Sequence, residues 1–515
     1  MPASARLWFL RIEIRLDAKM NTTRKIGKKT KNDKPGKTSP RGGARQKTID
    51  KLVSIVSQEI DDRLGPNSTF EQRRDAEAEL LSETLWKRED DDLRKSISDT
   101  DALEVDGKRY ARLGQPSSAT YYGRWGPHSV NEPLYREVGV RNGPTIKPLE
   151  LRVGIVARRM TPDLARIVGE LSAGDNSRDV ERLMRTVGLV PPSRSFIEKR
   201  VKVMAAELAQ QVDALEQVSR ATTAVPEQTA SISCGLDRFS VRMEEPASPE
   251  ADNGPKRQRR TKLYKRKPPT PKEYHYRKAW VGSVSVYDKE GHELHTWRYA
   301  TEADAEPKQL AERVSEDVAW VLRSHPGIPV QCVQDGAPEL RALPEALSRA
   351  LPDEAEVCEL IDFEHLMMGY LDKVVDACEP GDPHNMKSWY RGELLRDDAA
   401  IDRIWRGLRE RGKRLRDSSS TAARQAVASA LSYIRHRKKK MRYASHHAEN
   451  RTIGSGATES ACWTMQQRVK RPAQSWSVPG LRGTLTIRSL VVSERWKSAW
   501  KPYAAAHRKE VRSIA

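Results

Sequence analysis

The sequence predicts an α/β fold built on a mixed five-stranded sheet with flanking helices, and three observations predict it. Residues Ser231–Met243, "SISCGLDRFSVRM", alternate apolar and polar positions as a strand does. "AWVGSVSVYDKEGHELHTWRYATE" then reads strand, turn, strand, with the turn at "DKEG". Two short apolar runs, "IPVQCVQDG" and "EVCELIDF", follow after intervening helical segments, the spacing of parallel strands with crossovers. The implied order is three antiparallel strands, a helix, a parallel strand, a helix and a last parallel strand.

At 515 residues the chain has length for two or three domains. Lys plus Arg outnumber Asp plus Glu by 91 to 71, a net charge of +20, while aromatics are only 6%. That excess points to a polyanionic partner, nucleic acid before others. Five cysteines lie far apart with no CxxC spacing. They read as buried thiols in a reducing, cytoplasmic compartment rather than as zinc ligands. No apolar run reaches the ~20 residues of a membrane span, so no membrane partner is expected. Met20 offers a second candidate start, which would make residues 1–19 an upstream extension.

In chain order, residues 1–46 read as a basic disordered tail able to lie along phosphates. Residues 47–105 read as helices: Ile49, Leu52, Val53, Ile55 and Val56 recur at helical spacing, and Ser68 or Thr69 caps a second run. Residues 106–150 hold Gly, Pro, Tyr and Trp and read as a small module of short strands and turns. Its Tyr110, Tyr121, Tyr122 and Trp125 alternate with arginines, which serves either base stacking or a small core. Residues 151–224 return to helices, and "GLVPPSRSFIEKRV" reads as part of a helix-turn-helix or of any helical hairpin. The sheet occupies 225–365, with a basic insert at 256–278 read as a loop. Residues 366–450 are helical, 451–500 end the core with a further helix, and 501–515 read as a basic tail.

The chemistry rests on acids. Asp237 sits inside the first strand, where an apolar residue would pack better. Asp335 stands at the carboxyl end of a later strand, the place where open α/β sheets bind ligands. A DG turn explains Asp335 by itself equally well. Two such acids in one crevice repel unless a proton or a cation lies between them. Mg²⁺, a hard cation, suits that donor set. Glu459 opens the helix after Gly454 and Gly456, with Ser455 or Thr458 as its cap; an acid there also suits the helix dipole.

These pieces resemble the DDE transposases of bacterial insertion sequences, specifically the Kra-type group related to Mutator-like enzymes. The resemblance rests on "GLDRFSV", "VQDGAPEL", "IDFEHLMMGYL", "GSGATESACWTMQQRVKRPAQSWS" and, upstream, "RNGPTIKPLELRVGIVARRMTP", and spans roughly residues 105–500. Asp237 and Asp335 lie 98 residues apart, Asp335 and Glu459 124 apart. The second gap is long enough for the all-helical insertion of related enzymes, and Asp362 to His365 match their acid-x-x-His motif. The resemblance implies an RNase H-like core interrupted by that helical insertion and preceded by a helical DNA-binding region. It also implies Asp237, Asp335 and Glu459 as ligands of two Mg²⁺ ions, with Mn²⁺ as a substitute. The chain departs from many members in having no cysteines, and so no zinc ribbon, around "RYARLGQPSSATYYGRWG".

The expected activity is cleavage at insertion-sequence ends and joining of the 3′ ends to target DNA by in-line phosphoryl transfer. His365 is carried as a catalytic candidate that either donates to the scissile site, orients Asp362, or is structural. The expected partner is double-stranded DNA, the terminal inverted repeats and the target, held by a homo-oligomer. Lys256, Arg257, Arg259 and Arg260, then Lys438, Lys439 and Lys440, then Arg468, Lys470 and Arg471 are the expected phosphate contacts. Trp476 either stacks on an end base or packs on Leu481. The competing expectations are a metal-dependent nuclease without strand transfer and a domesticated transposase that regulates by binding DNA.

Overall fold

The structure is a computed structural model, and it describes residues 40–246, 272–303, 305–378, 381, 383–416 and 420–514. The described residues form two compact units, one ending at Leu81 and the other beginning at Ser82. Helix α1 spans Pro40–Leu64 and α2 spans Phe70–Lys95. Thr69 starts α2 with a reciprocal capping box: its hydroxyl accepts from the Gln72 N–H at 3.2 Å, and its own N–H donates to the Gln72 side chain at 2.9 Å. The helix onset at Pro40 corrects the reading of 40–46 as tail. Residues 1–39 of that tail lie outside the described residues.

The second unit holds two five-stranded sheets. The first is antiparallel: β1 (Ala102–Val105), β2 (Lys108–Gly123), β3 (Gly126–Glu137) and β4 (Thr145–Ile146). Two corrections belong here. Residues 102–105 are strand, not helix, and β2 and β3 are long strands rather than short pieces between turns. Short helix α3 (Pro148–Val153) leads to α4 (Pro162–Ser172), α5 (Ser177–Thr186), α6 (Arg194–Gln210) and α7 (Val212–Thr222), which agrees with the helical reading of this region. Ile197, Met204, Ala205 and Leu208 of α6 are buried.

The second sheet carries the candidate site. Its strands are β5 (Ser231–Pro246), β6 (Lys272–Tyr287), β7 (Glu293–Thr301), β8 (Val330–Gln334) and β9 (Val357–Ile361). The spatial order is β7-β6-β5-β8-β9. β5, β6 and β7 pair antiparallel, and β8 and β9 join parallel to β5. This is the mixed order that the strand signals predict. Lys272–Lys278 belong to β6, so the insert is not a loop through 278; Lys256, Arg257, Arg259 and Arg260 lie outside the described residues.

Alternation along β5 divides the core into two layers. Ile232, Cys234 and Leu236 join Leu310, Val314 and Val318 of α8 (Pro307–Ser324) and Leu343 and Leu347 of α9 (Ala342–Ala350) on one face. Phe239, Val241 and Met243 join Ala461, Cys462 and Met465 of a later helix on the other. After β9 the chain runs through α10 (Phe363–Leu366), a π-turn at Met367–Leu371, then α11 (Asp372–Cys378), α12 (Pro383–Arg396), α13 (Ala400–Arg414), α14 (Thr421–Arg437) and α15 (Ala444–Ala448). Helices α16 (Gly456–Val469), α17 (Val478–Val492) and α18 (Trp496–His507) follow.

The C-terminal residues are not a free tail. β10 (Val511–Ile514) pairs antiparallel with β1, from Ala102↔Ile514 to Val105↔Val511. α18 packs on α7 and α4. A buried charge cluster sits at the same junction. Arg495, 2% exposed, pairs with fully buried Asp317 at 2.8 Å, and Arg220 reaches the same carboxylate at 3.0 Å. The Arg495 guanidinium also lies over the rings of Trp297, Tyr299 and Trp320. Among the described residues no helix is long and apolar enough to cross a membrane.

Candidate active site

Register places the acids. β5 and β8 pair as Ile232↔Val330, Ser233↔Gln331 and Cys234↔Cys332, a constant offset of 98 residues. Asp237 and Asp335 carry the same offset three residues beyond the last paired residues, Asp335 standing just past the end of β8. β8 and β9 pair with an offset of 27, up to Gln334↔Ile361, and the Asp362 N–H extends that ladder to the Gln334 carbonyl at 2.8 Å. Asp362 is therefore level with Asp335. Continuing the two registers puts Asp237 on β5 at the level of Asp335 and Asp362, which stand one residue past the ends of β8 and β9; neighbouring strands lie ~4.8 Å apart. In-register residues of parallel strands point to the same face, here the face covered by α16.

Gly235 sets how closely α16 approaches. A Cβ at that position would lie 2.6 Å from the Thr458 hydroxyl and 2.6 Å from the Val333 carbonyl oxygen. With glycine in place, Thr458 reaches the sheet and its hydroxyl shares a 2.7 Å hydrogen bond with Ser283 on β6. One residue further along the first turn stands Glu459, exposed, with the Ser455 hydroxyl donating to its Oε1 at 3.1 Å. One turn on, the buried Cys462 thiol donates to Asp237 Oδ2 at 3.2 Å. The Arg238 N–H donates to the other oxygen, Oδ1, at 2.7 Å. Burial and the neighbouring Asp237 and Glu459 carboxylates push the Cys462 thiol well above its usual range, so it stays a protonated donor.

Asp335 is held from the opposite side. Its Oδ1 accepts the Ala337 N–H at 2.7 Å, closing a tight turn in which Gly336 adopts φ +79°. Tyr433 on α14 donates its hydroxyl to the Asp335 carbonyl at 2.7 Å. Arg437 reaches the Gly336 carbonyl through Nη2 at 3.0 Å and Nε at 3.2 Å. A Cβ at Gly336 would lie 2.6 Å from that guanidinium and 2.8 Å from Ile361. Glycine is required there by both conformation and space.

Asp362 is buried and fully engaged: one oxygen accepts the His365 N–H as a helix cap, the other the Ser455 N–H. It ties the end of β9 to the start of α16. The acid-x-x-His spacing is the sequence signal for the first of these bonds. His365 is exposed, with its ring 5.8 Å from those of Tyr370 and Tyr433. It lines a cavity of about 470 Å³ with Tyr370, Lys373, Gln425 and Ser429, beside the acid row rather than within it.

The phosphate-contact candidates behave differently from one another. Arg468 does not face outward: it is buried, donates to the Ser172 carbonyl at 3.0 Å, and burial pulls its guanidinium down to about 10. Arg471 is likewise turned inward, to the Gly174 carbonyl at 2.6 Å and Asp175 at 3.1 Å. Both arginines hold the α4–α5 connection against the end of α16, because that loop presents unpaired carbonyls to them. Lys438 pairs with Asp402 at 2.7 Å and Lys440 with Glu359, while Lys439 and Lys470 are exposed. Trp476 is half-buried beside Leu481, donates its indole N–H to the Val469 carbonyl at 2.9 Å, and lies under Arg468. That is the packing alternative of the two sequence readings.

The ligand atoms of Asp237, Asp335 and Glu459 are not drawn within 4.8 Å of one another. Among the described residues the side chains gathered that tightly are Asp288, Glu290 and His292, on the turn between β6 and β7. The Asp237, Asp335 and Glu459 donor set is all oxygen, at partly or fully exposed positions, which suits a hard divalent cation. No protein-family model matches this chain, and no curated protein matches it in sequence.

Proposed function

We propose that the chain is a DNA transposase with an RNase H-like core, residues 366–450 forming its helical insertion. It cuts at the ends of a bacterial insertion sequence and joins the 3′ ends to target DNA. One observation supports the reading: the β5–β8 register, continued three residues, brings Asp237 level with Asp335, and Cys462 of the helix whose first turn bears Glu459 bonds Asp237. These three would hold Mg²⁺ or Mn²⁺, which supplies polarisation of the scissile phosphate and a more acidic water.

The chain's own residues prepare that site. Cys462 and the Arg238 N–H fix the Asp237 carboxylate, and Ala337, Tyr433 and Arg437 fix the Asp335 turn. Asp362 keeps α16 registered on the sheet. The net charge of +20 supports a double-stranded DNA partner, with Lys439 and Lys470 as the exposed members of the expected phosphate contacts. Bringing two element ends together calls for a homo-oligomer, and the cysteine usage supports a cytoplasmic site of action.

The test is joining of an end-bearing oligonucleotide to plasmid DNA with Mg²⁺. Asp335→Asn should abolish cleavage and joining while DNA binding persists. Cleavage without joining makes the protein a nuclease, binding alone makes it a regulator, and equal activity in the variant removes Asp335 from the site.

A further inference from the structure

Over Ile49–Ile55 helix α1 carries an apolar stripe exposed to solvent, whereas Val56 is half-buried and Ile60 buried. Ile49, Leu52 and Ile55 are 42%, 57% and 54% exposed, and Val53 beside them is exposed as well. The helix is also a poor one by itself. Thr48, Ile49, Val53, Ile55 and Val56 are β-branched, so its central turns have weak intrinsic propensity and need packing to persist.

Its charges oppose its own dipole. Arg45, Lys47 and Lys51 outnumber Asp50 in the first half, and Glu59, Asp61 and Asp62 outnumber Arg63 in the second. A helix stabilising itself would place acids first and bases last. The pattern becomes favourable when the helix meets a copy of itself running the other way.

Spacing fixes the register of that pairing. Arg45 precedes Leu52 by seven residues and Glu59 follows it by seven. Seven residues are close to two turns, so all three share one face with Ile49 and Ile55. A two-fold axis at Leu52 sets Leu52 against Leu52, Ile49 against Ile55, and Arg45 of each helix against Glu59 of the other. Glu59 already bonds Arg63 at 3.0 Å along its own helix, which holds its carboxylate on that side.

We infer that α1 is a docking surface for a second copy of this chain, the two helices pairing antiparallel about Leu52. The inference names a surface for the homo-oligomer of the proposed function and rests on that part of the reading, not on the acid site. A helix pair with so few large apolar side chains covers less than the ~800 Å² per partner of a standard interface. The association is therefore reversible, with a dissociation constant in the micromolar range.

Sedimentation equilibrium of the full chain without DNA tests it. The expected result is a monomer–dimer equilibrium that Leu52→Glu weakens at least tenfold, with unchanged far-ultraviolet circular dichroism. Arg45→Glu and Glu59→Arg should each weaken it, and the double reversal in one chain should restore it, since only an antiparallel self-pairing recreates both contacts. A monomer at all concentrations to 100 times the expected micromolar constant overturns the inference, as does association indifferent to Leu52→Glu. Failure of the double reversal to restore association overturns the antiparallel register. Asp335→Asn should leave every one of these readings unchanged, so loss of the catalytic reading and loss of this one are separable.

Discussion

Replacing Gly235 with alanine tests how the sheet and α16 create the candidate site. The added methyl would stand 2.6 Å from the Val333 carbonyl oxygen and 2.6 Å from the Thr458 hydroxyl. Ordinary contact begins near 3.4 Å, so α16 or β8 must retreat by about 0.8 Å. A rotamer change at Thr458 relieves one contact and sacrifices its bond to Ser283. It cannot relieve the other, because Val333 presents backbone in the middle of a parallel ladder. Overpacking of this kind costs about 1–3 kcal/mol, and the immovable partner places this case at about 2–3 kcal/mol. The assay is urea unfolding of the full chain, with hydrogen–deuterium exchange read on β5, β8 and α16. The unfolding midpoint should fall and protection at the start of α16 should drop. Adding Thr458→Ala should not restore either, since the backbone contact persists. An alanine variant with wild-type midpoint and protection would refute the claim that Gly235 sets the seat of the Glu459 helix.

Further outcomes follow from the same contacts. Cys462→Ala removes the thiol donor from Asp237 and should weaken Mn²⁺ binding by isothermal titration several-fold, while Cys462→Ser, which keeps a donor, stays nearer wild type. Arg495→Met leaves Asp317 buried with Arg220 alone and should cost about 3 kcal/mol of unfolding free energy. His507 and Glu207 bring a pH dependence. The hydrogen bond to Glu207 raises the imidazole above its usual 6.5, so its contribution is full below that value and lost as pH rises through the folded-state value. The same bond lowers Glu207 below 4.5, so its contribution is lost as pH falls through a still lower value. Stability of the wild type relative to His507→Gln should therefore peak between pH 4.5 and 6.5 and shrink by roughly 0.5–1 kcal/mol by pH 8.5.

Much of the second sheet was legible in its residues. Period-two alternation in Ser231–Met243, the DKEG turn and two short apolar runs gave five strands, because burying one or both faces of a strand dictates its pattern. Asp335 was legible as a strand end because DG forces a turn. Asp362 was visible only as half of a motif; its second bond, to Ser455, joins residues 93 apart and leaves no local trace. Arg468 and Arg471 looked like surface cations for the same reason: the carbonyls that turn them inward lie nearly 300 residues earlier.

Local sequence determined the elements of the second sheet, their order and the acids at the strand ends, since those depend on periodicity and turn chemistry within a few residues. Only the tertiary structure decided that β10 adds an edge strand to the first sheet, that Gly235 admits Thr458, and that Cys462 meets Asp237. Each of these is a pairing of distant segments, selected by the steric fit and hydrogen bonding of the assembled chain. A strongly basic segment reads as a tail until a strand with free edge groups is found to receive it.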